Sequence, residues 1–193
     1  AQAMTTANCN IFLGVCAAGS GTITGNGNVA LGTEAGKNIS SGGYNIFFGH
    51  QAGVCNTTGA CNFAAGLFAA KCRNSGGGIF IGRYAGFGCN GATGAENIFL
   101  GKEVGRCSTT GAVNVAIGYQ AARCLTTGGN NIVLGNDAGK CMTSGERNIF
   151  LGKYVATGSS GAITGSDNIV LGCYSGRCIT SGDCNIFLGS EAG

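Results

Sequence analysis

Proline is absent from all 193 residues, where average usage of ~5% would supply about ten. Charged residues are only 10% of the chain, and the apolar runs in its repeats stop at three or four residues. That is far short of the ~20 a membrane-spanning helix needs, so no membrane insertion is expected. Low charge with 44% apolar residues also excludes disorder, which needs the opposite balance. A net charge of +3 is too small to argue for nucleic acid. His50 is the single histidine, so neither a catalytic triad nor a set of Cys/His metal sites can be built around it. No CxxC pair occurs, and no glycine-rich loop runs into Lys-Ser/Thr and a helix. The eight acidic residues are too few for a calcium-binding solenoid with an Asp in each coil. These absences point away from an enzyme and imply no cofactor and no metal. The chain has no signal peptide and begins at Ala1, which leads us to expect a processed or mid-chain product.

What is abundant is glycine, at 39 residues, and cysteine, at 12. So many cysteines in a 19.0 kDa chain favour an oxidising, extracellular setting. The length suits one ordinary domain, and within it one pentapeptide pattern recurs. "NIFLG" and its variants "NVALG", "NIFFG", "NFAAG", "GIFIG", "NVAIG" and "NIVLG" occur eleven times in all. With the residue before each apolar triplet as position zero, the copies start at Asn10, Asn28, Asn45, Asn62, Gly78, Asn97, Asn114, Asn131, Asn148, Asn168 and Asn185. The spacings are 18, 17, 17, 16, 19, 17, 17, 17, 20 and 17. A glycine follows the triplet in every copy.

Seventeen residues cannot hold two packed helices, but they can hold one coil of a β-solenoid. Ile, Val, Phe and Leu in the triplets favour strands, and Gly, Asn, Thr and Ser between them favour turns. A stacked coil pairs above and below, so proline would delete a ladder bond wherever it fell. The expected fold is therefore all-β: a parallel β-solenoid or β-roll of eleven ~17-residue coils, forming a single array over residues 1–193. The asparagines at position zero are expected to stack as a ladder of amides.

Side chains alternate faces along a strand. We expect the first and third members of each triplet to point into the coil and the middle one to point out. The middle residues are apolar in every copy, and a strand apolar on both faces is buried on both. This predicts a homo-oligomer interface of Phe12, Phe47, Phe80, Phe99, Val133, Phe150, Val170 and Phe187, with a homotrimer as the first choice. Burying each such side chain contributes roughly 1.5–3 kcal/mol.

Two further columns follow from the period. Cys55, Cys72, Cys89, Cys107, Cys124, Cys141 and Cys178 share one position, normally ten after zero. Stacked strands lie ~4.8 Å apart, within reach of a disulfide. Pairs 55–72, 89–107 and 124–141, bonds between chains, and a ladder of free thiols all remain open. Cys9, Cys61 and Cys184 form a sparser column within reach of Cys16, Cys55 and Cys178. Beside the main cysteine column run Lys37, Lys71, Arg106, Arg123, Lys140 and Arg177, a candidate anion or glycan stripe. Glu34, Glu103, Asp137 and Glu191 are placed to answer them across a chain interface. His50 falls at a variable turn position and reads as an exposed bystander. Joining residue 193 to residue 1 keeps the repeat in phase, which leads us to expect head-to-tail stacking into a filament, with a segment of a longer fibre as the alternative.

The units "NVAIGYQAARCLTTGGN" and "NIVLGNDAGKCMTSGERN" resemble the repeats of phage tail fibres and the head repeats of trimeric autotransporter adhesins. The likeness runs through all eleven copies. It implies a β-roll fibre, a trimer and an extracellular, host- or surface-facing location. Two functions follow as expectations. The first is a structural subunit of an extracellular filament whose partner is itself. The alternative is a fibre-shaft adhesin or tail-fibre segment that binds cell-surface glycans.

Overall fold

The computed structural model describes residues 7–19, 21–88 and 91–193. Those residues contain no helix and eleven three-residue strands. The strands are β1 (Ile11–Leu13), β2 (Val29–Leu31), β3 (Ile46–Phe48), β4 (Phe63–Ala65), β5 (Ile79–Ile81), β6 (Ile98–Leu100), β7 (Val115–Ile117), β8 (Ile132–Leu134), β9 (Ile149–Leu151), β10 (Ile169–Leu171) and β11 (Ile186–Leu188). They form one parallel sheet in chain order, so each repeat is one coil of a β-solenoid, as expected. Triplet pairs with triplet in register: Phe80 faces Phe99 across β5 and β6, and Phe99 faces Ala116 across β6 and β7. The 20-residue spacing leaves the register intact, with Phe150 opposite Val170. Residues 1–6 of the N-terminal half-repeat, and Cys89, lie outside the described residues.

Hydrogen bonds between coils continue around the turns. In the sixth coil Ile98 N donates to Asn114 O at 2.8 Å, Glu103 N to Arg83 O at 2.9 Å and Cys107 N to Arg123 O at 3.0 Å. With N–H groups committed on every side of the coil, proline has almost no place to stand. The glycine after each triplet has its own cause. Its φ lies between 117° and 142° in all eleven copies, a region that only glycine adopts freely. At Gly118 a Cβ would also run into the Gly135 carbonyl of the next coil.

The phase of the strand is the reverse of the expectation. The middle residues Phe47, Phe80, Phe99, Val133, Phe150 and Val170 are fully buried inside a single chain. Phe12 and Phe187, in the two end strands, are half-buried against the same core. The first and third residues face outward: β5 reads exposed–buried–exposed, and Ile79 and Ile81 are 38% and 41% exposed. The cause is the asparagine. Asn28, Asn45, Asn97, Asn131 and Asn148 are buried, so position zero points inward and strict alternation sends position two inward with it. The six phenylalanines and two valines therefore fill the coil and are not the interface.

Opposite them stands a column that the repeat consensus hides, normally eleven after zero. It holds Ile23, Ile39, Asn56, Arg73, Ala92, Ser108, Leu125, Met142 and Ile163, all buried. The two columns share a nearly constant volume. Coils with phenylalanine at position two carry a small partner: Phe47 with Asn56, Phe80 with Ala92, Phe99 with Ser108. Coils with alanine there carry a large one: Ala30 with Ile39, Ala64 with Arg73, Ala116 with Leu125. A core packed to crystal-like density forces this trade. Phe12 with Ile23 and Phe150 with Ile163 are the exceptions, and they lie in coils of 18- and 20-residue spacing.

Candidate functional site: an aliphatic sheet face and its flanking columns

Position one of the eleven triplets reads Ile, Val, Ile, Phe, Ile, Ile, Val, Ile, Ile, Ile, Ile, and position three Leu, Leu, Phe, Ala, Ile, Leu, Ile, Leu, Leu, Leu, Leu. No polar residue occurs among these 22. Turned outward, they make the sheet's outer surface an unbroken apolar face, aliphatic except at Phe48 and Phe63. Ile117 and Ile132 in mid-sheet are 38% and 41% exposed; Leu13 and Leu188 in the end strands exceed 60%. Eleven rungs ~4.8 Å apart and three residues ~3.3 Å each give a footprint of about 500 Å². That lies near the top of the ~300–600 Å² found for the largest apolar patch on an ordinary monomer.

Beneath this face the asparagines form the expected ladder. Asn131 Nδ2 donates to Asn114 Oδ1 at 2.9 Å and to the Gly145 carbonyl at 2.9 Å, and Asn131 Oδ1 accepts from Asn148 N at 2.9 Å. The same pattern links Asn28, Asn45 and Asn62. Gly78 interrupts it, and Arg73 from the coil before fills the gap. Its Nη2 donates to Gly94 O at 2.9 Å, the carbonyl that an asparagine at position 78 would cap. Its guanidinium lies 4.9 Å from the Phe80 ring centre and 5.8 Å from that of Phe99. A Cβ at 78 would strike the Phe80 ring. Burial pushes Arg73 down to about 10, so it stays charged at neutral pH, with aromatic faces and a carbonyl in place of a carboxylate.

The basic column is answered within the chain and not across an interface. Lys37 pairs with Glu34 at 2.8 Å and Lys140 with Asp137 at 2.9 Å, each one turn of chain apart. Glu103 lies 3.8 Å from Arg106 and 3.5 Å from Arg123. Lys71 sits over the Phe68 ring at 4.6 Å, and Arg177 over Tyr174 at 5.3 Å. His50 is exposed and meets the Phe68 ring edge-on at 5.4 Å.

The described cysteines are free thiols, those of the two proposed columns included. Cys55, Cys72, Cys107, Cys124 and Cys141 are half-buried; Cys178 is exposed, as are Cys9, Cys61 and Cys184. Cys55 Sγ and Cys72 Sγ lie 3.8 Å apart. Burial, and then the neighbouring Cys55, push the Cys72 thiol up. Hydroxyls of Ser160 and Ser159 hold Cys178 down. Among the described residues no three His, Cys, Asp or Glu side chains converge as a metal centre, and no helix is long and apolar enough to cross a membrane.

Fold and surface together define a single-chain parallel β-solenoid with one aliphatic sheet face. Comparison with protein-family models, with curated proteins and with solved structures found no match.

Proposed function

We propose that the chain is a structural subunit of an extracellular filament or fibre, packing side by side with copies of itself through the aliphatic sheet face. The observation that carries this reading is the chemistry of positions one and three. Water-facing strand positions tolerate threonine as readily as isoleucine. Yet these 22 positions are apolar without exception.

A second copy is the occupant that fits. Its rungs repeat at the same ~4.8 Å, so side chains interdigitate along the whole length, and stacked sheets meet ~10 Å apart. Two footprints of about 500 Å² bury about 1,000 Å², the lower bound for a biological interface. Three copies around a common axis would match the fibres that the repeat resembles. The glycan-binding alternative draws less support, because the cations it would use already have intrachain partners.

Sedimentation of the purified protein tests the assembly. The mass of an oligomer is expected, a dimer where two faces pair and a trimer where three meet around a common axis, falling to a monomer of unchanged circular dichroism in an Ile81→Lys, Ile117→Lys, Ile132→Lys variant. A wild-type chain that stays monomeric at high concentration removes the basis of the proposal.

A further inference from the structure

We infer that two runs of position-ten thiols, Cys55 with Cys72 and Cys107 with Cys124 and Cys141, form binding ladders for thiophilic d10 cations, each ion bridging the sulfurs of two neighbouring coils. Cys55 Sγ and Cys72 Sγ are 3.8 Å apart. An ion bonded at ~2.3 Å to both would subtend about 110°, and a linear bridge needs ~4.6 Å, just under the ~4.8 Å rise per coil. Both geometries are within reach of side-chain rotation alone. The backbone beneath is fixed: Cys55 N donates to Lys71 O, Cys107 N to Arg123 O and Cys124 N to Lys140 O, each at 3.0 Å. The ladder therefore holds its pitch whether or not an ion is present.

Cys107, Cys124 and Cys141 occupy three consecutive coils, so Cys124 has a thiol neighbour on each side. Both neighbours act on it electrostatically, after burial, in pushing its thiol up. Two sulfurs per ion suit monovalent d10 cations, which soft thiolates select; a tetrahedral centre would need ligands that do not converge here. On binding, two thiols lose two protons and form two sulfur–metal bonds, leaving a complex of net charge −1 for a monovalent ion. The charge of Lys71 acts on Cys72, and those of Arg123 and Lys140 on Cys124, in the sense opposite to burial. The thiols are half-buried, open enough for an ion to enter and sheltered enough to slow its loss.

The assay uses the full chain, reduced and then freed of reductant, in chloride-free buffer. Ag(I) serves as the probe, since it accepts two sulfurs and does not oxidise them. Native mass spectrometry counts bound silver while a small monothiol is titrated in as competitor. Silver is expected to survive monothiol concentrations at least tenfold above those that strip an isolated cysteine. In a Cys89→Ser background, Cys124→Ser should release all the silver of its run, whereas Cys107→Ser should leave the 124–141 bridge. If Cys124→Ser disturbs the fold, Cys55→Ser and Cys72→Ser serve in its place, each expected to release the silver of that pair while leaving the 107–124–141 run loaded. Two results overturn the inference. One is silver lost from wild type as easily as from the single-thiol variants. The other is a column whose thiols are missing in pairs from a titration before reduction, which would make it a set of disulfides. Neither outcome bears on the sheet face, which lies elsewhere on the coil.

Discussion

Replacing Asn131 by alanine should cost several times more than the same change at Asn185, although both occupy position zero. Asn131 sits mid-ladder and is buried. Its side chain donates to Asn114 Oδ1 and Gly145 O, both at 2.9 Å, and accepts from Asn148 N at 2.9 Å and Asn148 Nδ2 at 3.2 Å. Two of the groups left behind keep a partner: Asn114 Oδ1 still accepts from Asn131 N, and Asn148 Nδ2 still donates to Gly165 O. Gly145 O and Asn148 N do not. An orphaned buried polar group costs ~1–3 kcal/mol, so the loss is about 4 kcal/mol. Asn185 is half-exposed in the last rung, and its side chain makes one ladder bond, to Asn168 Oδ1 at 2.9 Å. Removing it should cost about 1 kcal/mol. Urea unfolding by circular dichroism measures both, and amide exchange at Asn148 locates the damage, since solenoid coils respond mainly to their neighbours. If the two variants fall within about 1 kcal/mol of each other, the amide ladder does not hold the coils together as argued.

Val113 stands just before position zero at φ 59°, a left-handed conformation that strains a β-branched residue, and it is largely exposed. Val113→Asn should raise stability by about 1 kcal/mol in the same urea assay. Acid should weaken the fold in a defined window. Lys37, then Gln51, holds Glu34 below its ordinary 4.5, and Arg147 holds Asp167 below its ordinary 3.8. Depressed carboxylates stabilise above those values and lose that contribution as pH falls through the lower folded-state values. The melting temperature should therefore drop below about pH 4.5, less steeply in Lys37→Met and Arg147→Met, and less steeply in high salt. Arg73 and Gly78 should couple. The double variant Arg73→Met, Gly78→Asn is expected to be more stable than the sum of the single changes by about 1 kcal/mol or more, because the restored amide reclaims Gly94 O once the guanidinium is gone.

Much of this architecture is legible in the sequence because each coil states it again. The 17-residue period, the triplets, the glycine after them and the missing proline fix a parallel solenoid with its register. The amide ladder follows from asparagine at position zero. The phase of the strand was harder. Ile98, Phe99 and Leu100 are all apolar, so composition cannot say which faces in; the deciding clue is Asn97, whose amide must be buried to form its ladder and carries Phe99 inward with it. The column of Ile39, Asn56, Arg73 and Leu125 is hidden in the sequence because its residues share no chemistry. It becomes visible only when each is read against the size of its coil's middle residue. Intrachain pairing of Glu34 with Lys37 rests on the left-handed turn at Glu34, φ 57°, which the sequence does not mark with glycine.

The unequal spacings bear on which surface matters. Asparagine, triplet, glycine and the turn after it keep their lengths in every described coil, while extra residues enter opposite the strand. The longest spacing, between Asn148 and Asn168, places Thr157–Gly158–Ser159–Ser160–Gly161 there, ahead of the buried Ile163, and Met142 still bridges Ile163 across it. The shortest, between Asn62 and Gly78, removes a residue after Arg73, between the opposing column and the next position zero. Core packing requires only that positions zero, two and the opposing column stay aligned, and those survive either change. The same alignment fixes positions one and three on the outer face, since a shift of one residue at any rung would turn its isoleucine and leucine inward and its middle residue out. Length variation confined to the far edge leaves that face continuous over eleven rungs, as contact with an equally periodic partner requires.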